Sequence, residues 1–303
     1  VTSDRPTGPS DLTDPRRYRP PVPLVEGDRL RWCDTVVAEI PGFRPLALDL
    51  FRPLAVEPPV PLVIWIHGDA WRAGDHRGEP APPAAGRITE RLLGDGFAVA
   101  RVTYRLSGEA RFPAPLHDVK AAVRWLRGHA GELGLDAARF GVWGESAGGH
   151  LASLVALTGD DPDPVLTGHF GIPRVSDAVQ SAVVWYGPSN LLSMAAQSHP
   201  YGLDRGGPEG LLLGGVVPDL SGEAAAASPV TYVSAEAPPM LLVHGALDRV
   251  VPAAQSRELH DRLAALGAPV TVRIIPGAGH RLTGADLTAP VTESLEHLVK
   301  TLS

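Results

Sequence analysis

The sequence predicts an α/β fold: a mostly parallel sheet with helices on both faces. Three features point there. Strand-like and helix-like stretches alternate along most of the chain. Two strand-like stretches, 61–66 and 140–143, are apolar throughout, as in strands buried on both sides. The second runs through Gly144-Glu145-Ser146-Ala147-Gly148 straight into a helical pattern at 149–157.

In chain order, residues 1–23 are rich in Pro, Arg and Asp and lack periodicity. They belong to an N-terminal arm, residues 1–30, ahead of a single domain at 31–303. Strands are expected at 35–40 and 45–51, paired as an antiparallel hairpin across Pro41-Gly42, and then at 61–66. A Pro/Gly-rich loop runs on to about Ala85. A helix at 87–93 stops at Gly94 and Gly96, and a strand follows at 97–102. The helix at 118–129 shows Val119, Ala122, Val123 and Leu126 on one face, with Asp118 placed as its N-cap. After the 140–157 joint come a strand at 182–186 and a Gly-, Pro- and Ala-rich insertion at 187–238. The insertion is expected to form a pocket wall or small lid. Strands at 240–243 and 270–275, each followed by a helix (252–266 and 289–302), complete the sheet.

The 303 residues are 44% apolar with a formal net charge of −7, which suits a large buried core and argues against nonspecific nucleic-acid binding. Cys33 is the only cysteine, so no internal disulfide can form. The N-terminus lacks an apolar signal core, and no apolar run is long enough to span a membrane. A cytoplasmic location without membrane association is therefore expected, and a homo-oligomer remains open.

Sheets of this kind place their sites beyond the C-terminal ends of the strands. Several segments with chemical character fall there. Ser146 sits in a G-x-S-x-G whose small neighbours let strand and helix pass closely, lifting the hydroxyl above the sheet. A serine nucleophile needs a base, and His280 follows a strand within Pro276-Gly277-Ala278-Gly279-His280. Asp248, between a strand and a helix that starts at Pro252, is the candidate to orient the imidazole. An oxyanion needs aimed donors, expected from the backbone N–H of Ala147 and from the loop after Ile66 through Asp69 and Ala70. His67 and His244 are expected to brace loops through hydrogen bonds, and Glu145 to brace the turn. Trp71, Trp185 and Tyr186 follow strand ends, where they could line a substrate pocket or pack in the core. No H-E-x-x-H, cysteine cluster, G-x-x-x-x-G-K or dinucleotide fingerprint occurs, so neither metal nor organic cofactor is expected.

Taken together, His67-Gly68-Asp69-Ala70-Trp71, Tyr104-Arg105-Leu106, Asp118-Val119, 144–151, His244-Gly245 with Asp248, and Gly279-His280 resemble the α/β-hydrolase superfamily. More narrowly they resemble its esterase/lipase branch with an H-G-G-x-W oxyanion loop. That branch includes hormone-sensitive-lipase-like, feruloyl- and acetyl-esterase-like and kynurenine-formamidase-like proteins. The resemblance runs from about residue 35 to the C-terminus. It implies an eight-stranded sheet, a Ser146–Asp248–His280 triad, and hydrolysis of a small to medium carboxylic ester through an acyl-enzyme. An arylformamidase, an acyl transferase and a non-catalytic binding protein on the same scaffold are the alternatives. Asp69 departs from the pattern, standing where glycine is usual. A carboxylate 4 Å from the oxyanion would cost about 4 kcal/mol at an effective dielectric near 20. Its side chain must therefore point away, pair with a cation such as Arg72, carry a proton, or read a substrate group.

Overall fold

The computed structural model describes residues 18–78, 88–197 and 204–303. Residues 1–17 of the expected arm, 79–85 of the Pro/Gly-rich loop, Arg87 of the expected helix and 198–203 of the insertion lie outside the described residues. Within them, nine strands form one sheet: β1 (Leu24–Glu26), β2 (Arg29–Ala38), β3 (Leu46–Pro53), β4 (Val60–Ile66), β5 (Ala98–Val102), β6 (Leu135–Glu145), β7 (Ser181–Trp185), β8 (Met240–Gly245) and β9 (Val270–Ile275). Their order is β1-β2-β3-β5-β4-β6-β7-β8-β9. The pairings from β1 through β3 to β5 are antiparallel, and those from β5 to β9 are parallel.

The sheet thus has one strand more than the resemblance implied. The extra strand is β1, which lies inside the stretch expected to be an arm. Glu26 pairs with Arg29, so Gly27 and Asp28 close a tight hairpin. Gly27 takes φ 64°, which glycine adopts without a Cβ clash.

The helices are α1 (Ile88–Gly94), α2 (Ala114–Gly128), α3 (Ala130–Leu133), α4 (Ala147–Leu157), α5 (Pro164–Thr167), α6 (Leu191–Gln197), α7 (Pro208–Leu213), α8 (Ser221–Ala226), α9 (Ala254–Ala265) and α10 (Thr288–Leu302). Apolar residues of α2, α4 and α9 pack on one face of the sheet, as with Val119, Leu151 and Leu259. Those of α1 and α10 pack on the other, as with Leu92 and Leu298. With both faces covered, the runs of β4 and the end of β6 are buried, which explains their unbroken apolar sequence.

Asp118 is not a cap. Helix α2 begins at Ala114, after Pro113, and Asp118 sits one turn inside it, fully buried. Its carboxylate accepts from the backbone N–H and the guanidinium of Arg105 at 2.7–2.8 Å. The pair ties α2 to the loop after β5, and so sets the position of Tyr104.

The parallel register brings the strand ends level. Ile66 pairs with Gly144, Glu145 with Trp185, and Gly245 with Ile275. Every segment that carries a candidate residue leaves the sheet at this rim. No helix among the described residues is long and apolar enough to cross a membrane.

Candidate functional site

Ser146 occupies the turn between β6 and α4 with φ 50° and ψ −119°, a conformation that L-residues rarely adopt. The turn closes only because its neighbours lack side chains. A Cβ on Gly144 would lie 2.1 Å from the Gly148 carbonyl oxygen, and one on Gly148 would lie 2.0 Å from that of Ile66. The Ser146 N–H donates to Trp185 O at 2.8 Å, fixing the turn to β7.

Three side chains from three segments meet here. Ser146 Oγ lies 3.2 Å from His280 Nε2, and His280 Nδ1 lies 2.7 Å from Asp248 Oδ2. With Nδ1–H donating to the carboxylate, Nε2 is left to accept the serine proton. Asp248 is buried, and its other oxygen accepts from the N–H groups of Val250 and Val251 at 2.9 Å. Burial works to raise its pKa, but hydrogen bonds with His244 and His280 outweigh it and hold the carboxyl well below the usual range. His244 donates from Nε2 to Val251 O at 2.8 Å, and its Nδ1 lies 2.7 Å from Ser256 Oγ, so it braces the Asp248 turn.

The turn after β4 is left-handed through three residues: Asp69 (φ 62°), Ala70 (φ 56°) and Trp71 (φ 55°). Two supports hold it. Tyr104 donates its hydroxyl to the carbonyls of His67 and Gly68, both at 3.0 Å. Trp71 donates from Nε1 to Nδ1 of buried His150 at 3.2 Å, and the other ring nitrogen of His150 donates to Ala227 O at 2.6 Å. This second bridge joins the turn to α4 and to the insertion. Burial pushes the His150 pKa down to about 4, so the ring stays neutral.

Among the described residues the His67 ring braces the loop by stacking more than by hydrogen bonds. Neither ring nitrogen meets a partner among the described residues. The ring instead stacks on Tyr104, with centroids 4.3 Å apart and planes 11° from parallel. Burial lowers its pKa to about 4.

Asp69 pairs with Arg281 rather than Arg72. The guanidinium draws the carboxylate to the rim beside His280 and offsets its charge. Sequence reasoning missed Arg281, whose one local signal is that it follows His280.

Trp71, Trp185 and Tyr186 are core residues. All three are almost fully buried, and their polar atoms are partnered within the protein. Tyr186 donates to Glu145 at 2.6 Å and sets its ring edgewise to His280, with centroids 5.1 Å apart. The open groove of about 490 Å³ is lined instead by Asp69, Ala70, Arg72, Ala73, Ser146, Val250, His280 and Arg281.

Elsewhere among the described residues, Asp34, Asp49 and His76 lie close enough to share an ion. Arg77 pairs with Asp34 at 2.6 Å and Arg31 with Asp49 at 3.3 Å, so guanidiniums already neutralise both carboxylates. That opposes a bound cation.

The BD-FAE family profile matches residues 48–263. Esterase LipQ of Mycobacterium tuberculosis is 33% identical over 83% of this chain and 57% of its own length. The probable carboxylic ester hydrolase LipM of the same organism is 33% identical over 77% of this chain and 52% of its own. The chain thus spans about half the length of these curated relatives. Among solved structures, a truncated carbohydrate esterase from gut microbiota superposes with a TM-score of 0.76 at 29% identity, covering 84% of this chain and 90% of that one. Esterase 2 of Thermogutta terrifontis, with propionate bound, shares the fold with a TM-score of 0.68 at 24% identity over 88% of this chain and 92% of its own. By its sheet, its rim and these likenesses, the chain belongs to the BD-FAE family, in the esterase/lipase branch of the α/β-hydrolases.

Proposed function

We propose that the protein is a serine carboxylesterase for small to medium esters, working through an acyl-enzyme on Ser146. The observation that carries this reading is the unbroken line from Ser146 Oγ through His280 to Asp248, at 3.2 and 2.7 Å.

In this reading Ser146 Oγ attacks the acyl carbon while its proton passes to His280 Nε2. Asp248 accepts from Nδ1–H and stabilises the imidazolium. Negative charge on the carbonyl oxygen is met by the N–H of Ala147, at the positive end of α4, and by those of Asp69 and Ala70. His280 then protonates the departing alcohol, and water cleaves the acyl-enzyme by the same steps. Arg281 removes the objection that Asp69 raises, because an ion-paired carboxylate at the rim opposes the oxyanion far less than a free one. None of the described residues of the 187–238 insertion lines the groove, so the expected pocket wall gives way to a brace: His150 links Ala227 of the insertion to the turn at Trp71.

The test is hydrolysis of short-chain para-nitrophenyl esters by the parent and by Ser146→Ala. Turnover by the parent, with loss of at least about a thousandfold in the variant, is expected. Equal rates would refute the assignment. Assay of N-formylkynurenine beside the esters separates an esterase from an arylformamidase.

A further inference from the structure

The groove over Ser146 is more basic than the protein that carries it. The whole chain has a formal net charge of −7. Yet among the described residues the Asp, Glu, Lys and Arg side chains of the groove wall are Asp69, Arg72 and Arg281, two guanidiniums against one carboxylate. Asp69 is already engaged by Arg281. The Arg72 side chain is exposed and has no hydrogen-bond or ion-pair partner among the described residues. The remaining described wall, Ala70, Ala73 and Val250, has apolar side chains. The amino end of α4 adds further positive potential beneath Ser146.

We propose that this site selects esters bearing a carboxylate near the scissile bond, and that Arg72 and Arg281 are the residues that read it. The inference rests on the hydrolase reading above. A substrate carboxylate entering the groove meets the exposed fork of Arg72, whose planar donors suit carboxylate oxygens. It can also share Arg281 with Asp69, whose carboxylate holds that side chain at the rim before substrate arrives. Arg281 follows His280 directly and takes a left-handed conformation (φ 57°), so its direction is tied to the proton-transfer residue. A cationic substrate finds the opposite: the carboxylate of Asp69 is paired with Arg281, and Arg72 repels it.

The test compares kcat/KM within two matched pairs. In the first the acyl part carries the charge: para-nitrophenyl hemisuccinate against para-nitrophenyl butyrate. In the second the leaving group carries it: para-acetoxybenzoate against para-acetoxybenzamide. In at least one pair the acidic ester is expected to be favoured about tenfold at low salt, the scale of one charge-assisted hydrogen bond. The preference should shrink as salt is raised. Arg72→Gln and Arg281→Gln should each reduce it severalfold, and Arg281→Lys should retain more of it than Arg281→Gln.

Hydrolysis of the neutral esters without preference in either pair overturns the inference and leaves the esterase reading intact. So does a preference that neither arginine substitution nor salt alters. If the parent cleaves none of the four esters and a fluorophosphonate fails to label Ser146, the hydrolase reading fails, and this inference falls with it. The salt titration needs only the parent protein, so it discriminates even if a substituted protein does not fold.

Discussion

His150 gives the structure an acid-sensitive joint whose strength can be worked out. The ring accepts from Trp71 on one nitrogen and donates to Ala227 on the other. A proton on Nδ1 would turn that acceptor into a donor facing the indole N–H. Burial holds the folded pKa at about 4, against 6.5 for the free side chain. The unfolded chain therefore takes the proton first. The stability this group contributes is complete above about pH 6.5, falls as pH drops toward 4, and levels off below it. The full difference is about 3 kcal/mol, a large part of the roughly 5–15 kcal/mol that keeps a typical domain folded. His67, also held to about 4 by burial, adds a fall of the same sign over the same window. His150→Asn isolates one share, because an amide can accept from Trp71 and donate to Ala227 but does not titrate here. Urea unfolding of parent and variant from about pH 7 to pH 4 checks this. The parent should lose stability steeply over that range. The variant's loss should be shallower by up to about 3 kcal/mol. Parallel curves would refute the claim that His150 is held neutral by its buried bridge.

Asp248→Asn should lower kcat by about a thousandfold or more, because an amide N–H facing Nδ1 favours the imidazole tautomer that cannot accept from Ser146. Steady-state kinetics on a para-nitrophenyl ester checks it. Gly148→Ala should destabilise the fold by about 3 kcal/mol or more, since the new Cβ would meet backbone atoms of Ile66 and His67 rather than a movable side chain. Thermal and urea melts measure this. Tyr186→Phe leaves buried Glu145 without its phenol donor, and a stability loss of about 1–3 kcal/mol is expected by the same melts.

The strands, and the three segments whose side chains meet at the rim, were legible because their signals are local. The apolar runs of β4 and β6, the glycines beside Ser146, and the turns that release Asp248 and His280 all lie within a few residues of what they determine. What escaped depends on distant or conformational facts. Arg281 meets Asp69 across 212 positions, and nothing near either residue announces the other. Trp71 and Tyr186 are buried and take left-handed backbone, φ 55° and 42°, neither of which the local sequence announces. Asp118 resembles a cap in the sequence because acidic residues are common at helix starts. The helix begins a turn earlier, at Ala114, and the Asp118 carboxylate serves Arg105, a partner outside the helix. β1 was too short to give a periodic pattern, and it exists as a strand only because β2 is there to pair with it.

In the proposed mechanism Ser146, His280 and Asp248 act as one proton-transfer line. Fluorophosphonate labelling, followed by peptide mass spectrometry in the parent and in His280→Asn, tests it most directly. The label should fall on Ser146 in the parent, and labelling should slow at least about a thousandfold in the variant. A label on another residue, or equal labelling rates in the two proteins, would contradict it.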